Sequence, residues 1–277
     1  MSRDRAGMSR AGGVSILVLF FVASCSGRDN SVMTEWDASD ESSSQSVNHR
    51  AWESFLEAHI VADEHGVNRV AYGDAEPAAR KALNDYIDTL SRQDPRKLKK
   101  TEQLAYWMNL YNALTVDVVL RHPGVSSIRD MGEGALGQGP WGDNVVEIAG
   151  RALSLDDIEH RILRPIFRDH RIHYGVNCAS FSCPNLMTTA FTADNVERLL
   201  DRAEADYVNH SRAVAFDDDG ELTLSSIYDW YRSDFAPTER ELLVYLSQHH
   251  RKDAERLAAY AGTVRYDYDW SLNSAAQ

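Results

Sequence analysis

The chain has 277 residues and a formal net charge of −13 at pH 7, from 42 acidic and 29 basic side chains. This excess of negative charge repels polyanions, so it excludes nucleic acid as a partner. The length permits one or two domains with a large buried core, and a single break in composition, near residue 48, favours one domain.

The first 24 residues have the layout of a signal peptide. Arg3, Arg5 and Arg10 precede an uncharged run over residues 14–22, and Ala23-Ser24-Cys25 follows. The run is shorter than the roughly 20 apolar residues that span a bilayer, so it is typical of a segment that is cleaved off. Residues 22–25, VASC, resemble the bacterial lipobox. This resemblance implies cleavage before Cys25 and acylation of that cysteine, including palmitate.

Lipid on Cys25 would make the membrane the predicted partner of the exported protein. Ser26 follows in place of Asp, which resembles Gram-negative sorting to the outer membrane, so we expect the protein there, facing the periplasm. An ordinary secretory signal is the alternative. Cleavage would remove three arginines and one aspartate, changing the net charge from −13 to about −15. Anchoring would then depend on the acyl chains alone.

The remaining chain divides into a tether and one globular domain. Residues 25–48 are rich in Ser and acidic residues and have few clustered apolar side chains, which predicts a disordered tether. The domain is predicted over 49–275. Amphipathic spacing within it predicts a long central helix from Thr101 to about Arg121. Other helices are predicted over 51–63, 77–90, 192–209, 226–235, 238–250 and 253–261.

Strands are fewer than helices in the predicted domain. Alternating residues and turn signals predict hairpins over 145–155 and 213–225, and a strand over 171–177. A capping box begins a short helix over 155–164, which we expect Pro165 to end. The glycine-rich segment 124–144 predicts an irregular loop of the kind that often serves function. The pattern as a whole indicates an α+β fold, mostly helical with a small antiparallel sheet.

Two cysteines remain after Cys25 is assigned to lipid, and their role is open. Cys178 and Cys183 are close enough in sequence to form a structural or redox-active disulfide, if their Cα atoms lie within about 7 Å. Alternatively, Cys178 at the end of the predicted strand is a nucleophile, which requires a nearby imidazole or helix N-terminus to lower its pKa. An inert buried thiol is the third interpretation.

A nucleophilic cysteine needs a base, and His160 is the leading candidate. On the helix over 155–164, Glu159 falls within the apolar arc and His160 at its edge. A carboxylate among apolar neighbours must be paired, and such groups often mark functional sites. Holding a loop is the structural alternative for Glu159. His173, on the predicted strand, is the rival base or a core histidine.

Other polar residues give weaker signals. Asn109 and Asn112 on the central helix could tie loops to it or donate to an oxyanion. No metal site is predicted, because His170 and His173, the pair His249-His250 and the acidic turn 217–220 lack the spacings of metal-binding motifs. No phosphate-binding glycine motif is present either, so no cofactor is predicted.

Four strings together resemble domain-of-unknown-function family 547. They are EQLAYWMNLYNALTV at 102–116, SLDDIEHRILRP at 154–165, RIHYGVNCASFSCPNL at 171–186 and YDYDWSLN at 266–273, so the resemblance extends over about 100–273. Bacterial members look like envelope lipoproteins. The motif positions carried over are Glu102, Trp107, Asn109, Tyr111, Asn112, Glu159, His160, His173, Asn177, Cys178, Cys183, Pro184, Asp269, Trp270 and Asn273.

The leading hypothesis is a thiol-dependent hydrolase or acyltransferase of the cell envelope. Cys178 would be the nucleophile, His160 the base, and Asn177 or Asn109 the oxyanion donor, with Glu159 orienting a polar partner. By analogy of layout, we expect a papain-like or transglutaminase-like core. The alternative is a non-enzymatic binding or scaffold lipoprotein with a Cys178–Cys183 disulfide. A dithiol oxidoreductase is the third hypothesis, with CxxxxC in place of the usual CxxC.

Overall fold

Helices dominate the part of the chain that the computed structural model describes, residues 31–132 and 139–275. The predicted signal peptide over residues 1–24, the predicted lipidation site Cys25 and residues 133–138 of the glycine-rich segment lie outside these ranges. The α-helices are α1 (Arg50–His59), α2 (Pro77–Ser91), α3 (Lys100–Arg121), α4 (Ile172–Gly175), α5 (Val196–Val208), α6 (Ile227–Trp230), α7 (Arg232–Phe235), α8 (Glu239–His249) and α9 (Ala254–Ala259), and a π-helix covers Asp157–Phe167.

Three small sheets accompany the helices. The strands are β1 (Ile60–Ala62), β2 (Asn68–Val70), β3 (Asn144–Ile148), β4 (Arg151–Ser154), β5 (Val214–Phe216), β6 (Leu222–Ser225) and β7 (Arg265–Asp267). Strands β1–β2, β3–β4 and β5–β6 pair antiparallel, and β7 adds to β6 in parallel, with Leu224 opposite Tyr266. The predicted α+β class with small antiparallel sheets is confirmed.

Helix α3 forms the centre of the core. Eighteen of its 22 residues are buried, and the exceptions are Lys100, Thr101, Asp117 and Arg121. A helix that is buried on nearly every side must be covered by neighbouring elements all round. Helices α2 and α5 and the π-helix all contact it. The sequence predicted one apolar face, so the polar residues of α3 are buried to a degree that the pattern did not indicate.

The segment 31–48 packs on the domain, and the prediction of a disordered tether up to residue 48 was wrong there. Trp36 is 2% exposed, and its ring lies edge-on to Trp107 with the centroids 5.4 Å apart. The Met33 amide donates to the Arg161 carbonyl at 3.0 Å. The average composition of the segment concealed Met33 and Trp36, which are few but large apolar anchors. The domain therefore includes residues from 31 onward.

Two predicted elements near the site differ from the structure. The predicted strand over 171–177 is helix α4 followed by extended chain, because side chains of α3 take the place of a neighbouring strand. The predicted stop at Pro165 is also wrong, because the π-helix continues through it to Phe167. Ile166 and Phe167 pack against the core and so favour the extra turn. π-Helical turns often accompany functional residues.

No helix within residues 31–132 and 139–275 combines the length and the apolar character that a membrane crossing requires.

Replacing Trp36 tests whether the 31–48 segment is part of the domain. Trp36→Ala removes a fully buried indole, so the free energy of unfolding should fall by about 3–5 kcal/mol in urea denaturation. Val32 is 43% exposed, so the control Val32→Ala should change it by less than about 0.5 kcal/mol. Equal stability of the two variants would show that the segment is not part of the folded unit.

Candidate active site

A cleft of about 280 Å³ opens where the π-helix, the chain around Cys178 and the C-terminal segment meet. One wall carries the two thiols, a second carries a carboxylate and two imidazoles, and a third is aromatic. The lining residues are Tyr111, Trp141, Asp156, Glu159, His160, His173, Val176, Cys178, Cys183, Ile227, Trp230, Tyr231, Tyr268 and Trp270.

Cys178 presents a free thiol to the cleft. Its Sγ lies 2.9 Å from Ser180 Oγ and 3.2 Å from the Tyr268 hydroxyl. Cys183 is buried beside it, and its Sγ accepts the Cys178 amide at 3.1 Å. Both cysteines are free in the structure, so of the alternatives that the sequence left open, the disulfide is not the one formed here. The two thiols nevertheless form one hydrogen-bonded group with two hydroxyls.

Side-chain amides hold the chain that leads to Cys178. Asn112 on α3 donates to the Gly175 carbonyl at 3.0 Å and accepts the Asn177 amide at 2.8 Å. Asn177 in turn accepts the Ala179 amide at 2.9 Å. Ala179 has φ of 63°, a left-handed conformation that costs an alanine about 1 kcal/mol or more. Such strained positions cluster at functional sites, and here the strain follows the thiol directly.

Arg212 holds the far side of the same loop. Its guanidinium donates at 2.8 Å to the carbonyls of Phe181 and Cys183 and to the side chain of Asn185. Burial lowers the pKa of Arg212, and none of these acceptors is a carboxylate. The buried charge is therefore balanced by backbone dipoles of the thiol loop, which gives Arg212 a positioning role.

The two thiols differ in acidity. Hydrogen bonding from Cys183 lowers the pKa of Cys178 to about 7, against the opposing effect of burial, and Ser180 and Tyr268 lower it further. Burial raises the pKa of Cys183 well above its ordinary value, and the hydrogen bond to Cys178 raises it again. Near neutral pH the first proton to leave the pair comes from Cys178, which is then a thiolate, the reactive form of cysteine.

A buried carboxylate and two imidazoles form the second wall. Glu159 is 7% exposed, and its Oε2 accepts the Tyr111 hydroxyl at 2.8 Å. Its other oxygen, Oε1, lies 3.8 Å from His160 Nδ1 and 3.9 Å from His173 Nδ1. His173 is 3% exposed and stacks on Tyr231 with the ring centroids 4.4 Å apart.

Asp234 and Arg164 determine where the imidazole protons lie. Asp234 Oδ2 is 2.8 Å from His173 Nε2 and 2.7 Å from Arg164 Nε. Although burial alone would raise the pKa of the Asp234 carboxyl, these two hydrogen bonds hold it well below its ordinary value. Burial lowers the pKa of His173, against the raising effect of Asp234. Neutral His173 therefore donates from Nε2, and its Nδ1 carries a lone pair.

His160 has the same tautomer for a different reason. Arg164 can only donate, so its contact of 3.1 Å makes His160 Nδ1 the acceptor and leaves the proton on Nε2. His160 Nε2 lies 3.8 Å from Asp156. His160 thus presents a donor to its surroundings, whereas His173 presents an open acceptor.

The third wall is a continuous aromatic surface. Trp270 lies at its centre, with ring centroids 4.6 Å from Tyr268, 5.4 Å from Trp230 and 5.5 Å from Trp141. Trp230 is 46% exposed at the cleft, an unusual position for so large an apolar side chain. Exposed clustered aromatics mark binding surfaces, so this wall is suited to an apolar or cationic ligand.

The structure brings five of the predicted chemical residues together with the motif positions Tyr111 and Trp270, and it separates others. Cys178, Cys183, Glu159, His160 and His173 all line the cleft. Among the hydrogen bonds of the described residues, however, no histidine contacts the Cys178 sulfur, so the expected pairing of His160 with the thiol is absent.

The predicted oxyanion donors lie outside the cleft. The side-chain amide of Asn109 binds the backbone of Phe191: it donates to the carbonyl at 2.7 Å and accepts from the backbone N–H at 3.0 Å. Asn177 donates from Nδ2 to the Pro184 carbonyl at 2.7 Å. Both amides hold buried backbone, and neither residue is among those that line the cleft, so both residues are structural.

Several residues of the site were not found by sequence reasoning. Ser180 contacts the Cys178 thiol, Asp234 contacts the buried imidazole of His173, and Trp230 belongs to the aromatic wall. In its own segment, each of them is typical of an ordinary polar or surface residue. Tyr268 lies within the string at 266–273, so that string held a signal for it. Arg212 had none, because a lone arginine near a hairpin is typical of solvent exposure.

Metal binding finds no support in the described ranges. His170 Nε2 pairs with Glu204 at 3.0 Å and not with His173, and no group of three or more His, Cys, Asp or Glu side chains in these ranges is placed to hold a metal ion.

An α+β domain with a free thiol in an aromatic cleft is the class that these observations define. Residues 95–208 match the family described as Protein of unknown function, DUF547. This match supports the family that the sequence motifs predicted, and the matched segment contains α3, the π-helix and both thiols. The string at 266–273 lies beyond the matched segment. No curated protein and no solved structure matches the chain, so the papain-like or transglutaminase-like core stays a prediction.

The acidity of Cys178 can be measured by its alkylation. A lowered pKa increases the thiolate fraction below pH 9, so the iodoacetamide rate at Cys178 should rise to half its maximum near pH 7, against the ordinary value of 9.0 in urea-unfolded protein. Peptide mass mapping separates Cys178 from Cys183. Cys183→Ala removes the strongest stabilising hydrogen bond, so it should shift the profile upward. A half-maximum near 9 in the folded wild type would contradict the geometry.

Proposed function

We propose that the domain is a thiol-dependent acyltransferase or hydrolase with Cys178 as the nucleophile. The observation that carries this proposal is a free thiol that faces a cleft and has a pKa of about 7, across from a carboxylate and imidazole wall. Burial alone would raise the pKa of a structural cysteine. The local hydrogen bonds reverse that effect, as activation of a nucleophile requires.

The base that the geometry favours is His173 in place of His160. His173 Nδ1 is an open acceptor, and Asp234 orients the ring through Nε2, an arrangement of base and carboxylate like that in catalytic triads. His160 Nδ1 already accepts from Arg164, so this imidazole serves as a donor. In the absence of substrate, contacts between base and nucleophile are often long, and both residues line one cleft.

The proposed reaction balances with these groups. The sulfur of Cys178 forms a bond to the acyl carbonyl carbon, and the thiol proton moves to His173 Nδ1. The Tyr268 hydroxyl, 3.2 Å from the sulfur, donates to the carbonyl oxygen as it gains charge. The bond to the leaving group then breaks, and that group takes the proton from His173. Water or a second nucleophile resolves the thioester in reverse order.

A second candidate is a dithiol reductase, because the hydrogen-bonded pair of an acidic and a non-acidic thiol suits disulfide exchange. The Cys178 thiolate would attack a disulfide of a partner protein, releasing one partner thiol and forming a mixed disulfide. Cys183 would then attack Cys178, releasing the second thiol and leaving the two cysteines bridged. The alternative of a scaffold stapled by a permanent bridge is less favoured, because both thiols are free.

The proposed cellular setting is the bacterial envelope. We propose that residues 1–24 are cleaved and that lipid on Cys25 attaches the protein to a membrane, with the outer membrane facing the periplasm as the expected site. The support is the sequence of the first 25 residues.

Acyl transfer is tested with p-nitrophenyl acetate as the probe. The reduced wild type should release p-nitrophenolate in a burst of about one equivalent and gain one acetyl group on Cys178. Cys178→Ser should lose both signals, and the matched control Cys183→Ser should keep acetylation at Cys178. If Cys178 is acetylated no faster than in urea-unfolded protein, it is not a nucleophile. If both variants lose acetylation and the wild type reduces a protein disulfide, the dithiol reductase is favoured.

Lipid attachment is tested by metabolic labelling of the full chain in bacteria with an alkyne analogue of palmitate. The wild type should carry the label and sediment with membranes, and Cys25→Ser should do neither. Cys183→Ser is the control for label on another cysteine. Labelling of Cys25→Ser at the wild-type level would contradict the proposed anchor.

A further inference from the structure

Two acceptor atoms face each other in the carboxylate wall of the cleft without a donor between them. Glu159 Oε1 and His173 Nδ1 lie 3.9 Å apart, and neither receives a hydrogen bond from the described residues. As whole residues, Glu159 and His173 are 7% and 3% exposed. Neither acceptor atom is among the described side-chain atoms that lack both solvent contact and a hydrogen-bond partner. Two lone pairs at this separation can be satisfied together only by a donor group.

The charge at this point favours a cation as that donor. No lysine or arginine is among the residues that line the cleft in the described ranges. Arg164, whose guanidinium contacts His160, already forms an ion pair with Asp234 at 2.7 Å. The Glu159 carboxylate has only a neutral hydroxyl as its hydrogen-bond partner. A buried carboxylate without a cationic partner is costly, so a positively charged ligand relieves that cost.

The aromatic wall supports the same ligand class. Aromatic faces attract cations, and two rings that line the cleft already bind guanidinium groups in this way: Arg164 lies 4.5 Å from the centroid of Tyr231, beside His173, and Arg129 lies 5.3 Å from that of Trp270 in the aromatic wall. The exposed Trp230 extends the wall toward solvent. An organic cation would place its charge at the carboxylate and its apolar chain along the indoles.

We infer that the cleft binds a primary alkylammonium group, whose N–H donors reach Glu159 Oε1 and His173 Nδ1 while its carbon chain packs on the tryptophan wall. This deepens the proposed function by naming the substrate class: a reactant with an amine beside the base of the acyl transfer. The catalytic role of this amine rests on the proposed function, whereas its binding does not involve the Cys178 thiol.

The experiment compares n-butylammonium with n-butanol, which has the same chain and a neutral donor. Six tryptophans give six ¹⁵N-indole signals, of which Trp141, Trp230 and Trp270 report on the cleft. Titration of the reduced protein at pH 7 should shift these three signals. The Kd for butylammonium should be at least about tenfold lower than that for butanol.

Two variants locate the binding site. Glu159→Gln can still accept from Tyr111 but has no charge, so the ratio of the two Kd values should fall to near one. Glu255→Gln, an exposed residue of α9, removes the same charge elsewhere and should leave the ratio unchanged. If Glu159→Gln fails to fold, Trp230→Leu at the exposed end of the wall provides the test, with butylammonium affinity lowered about fivefold.

Each outcome decides the inference. Equal affinity for butylammonium and butanol overturns it, as does a ratio that persists in Glu159→Gln or vanishes equally in Glu255→Gln. In the event that only Trp230→Leu can be tested, unchanged butylammonium affinity overturns it. Because acetylation of Cys178 is measured separately, an active thiol without ammonium binding would remove this inference and leave the proposed function standing.

Discussion

The candidate site depends on one side chain of the central helix. Asn112 binds the backbone on both sides of the bend before Cys178, donating to Gly175 and accepting from Asn177. The neighbouring Asn109 does the same for Phe191, one turn earlier on the same face. Each amide thus supplies the donor and acceptor that a neighbouring strand would supply. Losing a buried partner of this kind costs about 1–3 kcal/mol per unsatisfied group.

This arrangement explains why a loop can hold the Cys178 thiol rigidly. The side-chain amides of Asn109 and Asn112 lie on a helix that is buried on nearly every side, so the loop that they bind is fixed to the core. The opposite side of the loop is held by Arg212 and by backbone pairing with the C-terminal segment, in which Phe181 donates to Ser271 at 2.7 Å. The strained Ala179 persists because the surrounding contacts determine its conformation.

The same core also positions the opposite wall. Tyr111, one residue before Asn112, turns its hydroxyl to Glu159 on the π-helix. Asp234 then fixes the proton of His173 from the far side. The thiol and the carboxylate wall therefore share a single frame, α3, although they lie on separate parts of the chain. The contrast between an acidic Cys178 and a non-acidic Cys183 comes from the loop that α3 holds, because Cys183, Ser180 and Tyr268 hydrogen-bond to Cys178 whereas burial dominates at Cys183.

Sequence reasoning succeeded where a local pattern determines the result. The long helix, the two predicted hairpins and the capped start of the helix after Ser154 follow from periodicity and turn chemistry that act within a few residues. It failed where distant residues compete with local preference. Residues 171–177 alternate like a strand, yet Asn112 and the packing of Gly175 against Met108 and Leu200 make them a helical turn and an extended bend.

By itself, the sequence determined the α+β class, the family resemblance of the central segment and the pair of cysteines that the site contains, because each depends on residue types and short spacings. Only the tertiary structure decided which histidine has a free acceptor, which amides are already bonded and which aromatic rings form one wall. These properties depend on contacts between residues far apart in the chain, such as His173 with Asp234 and Cys178 with Tyr268. No local pattern encodes such contacts, since packing around the buried α3 brings the partners together.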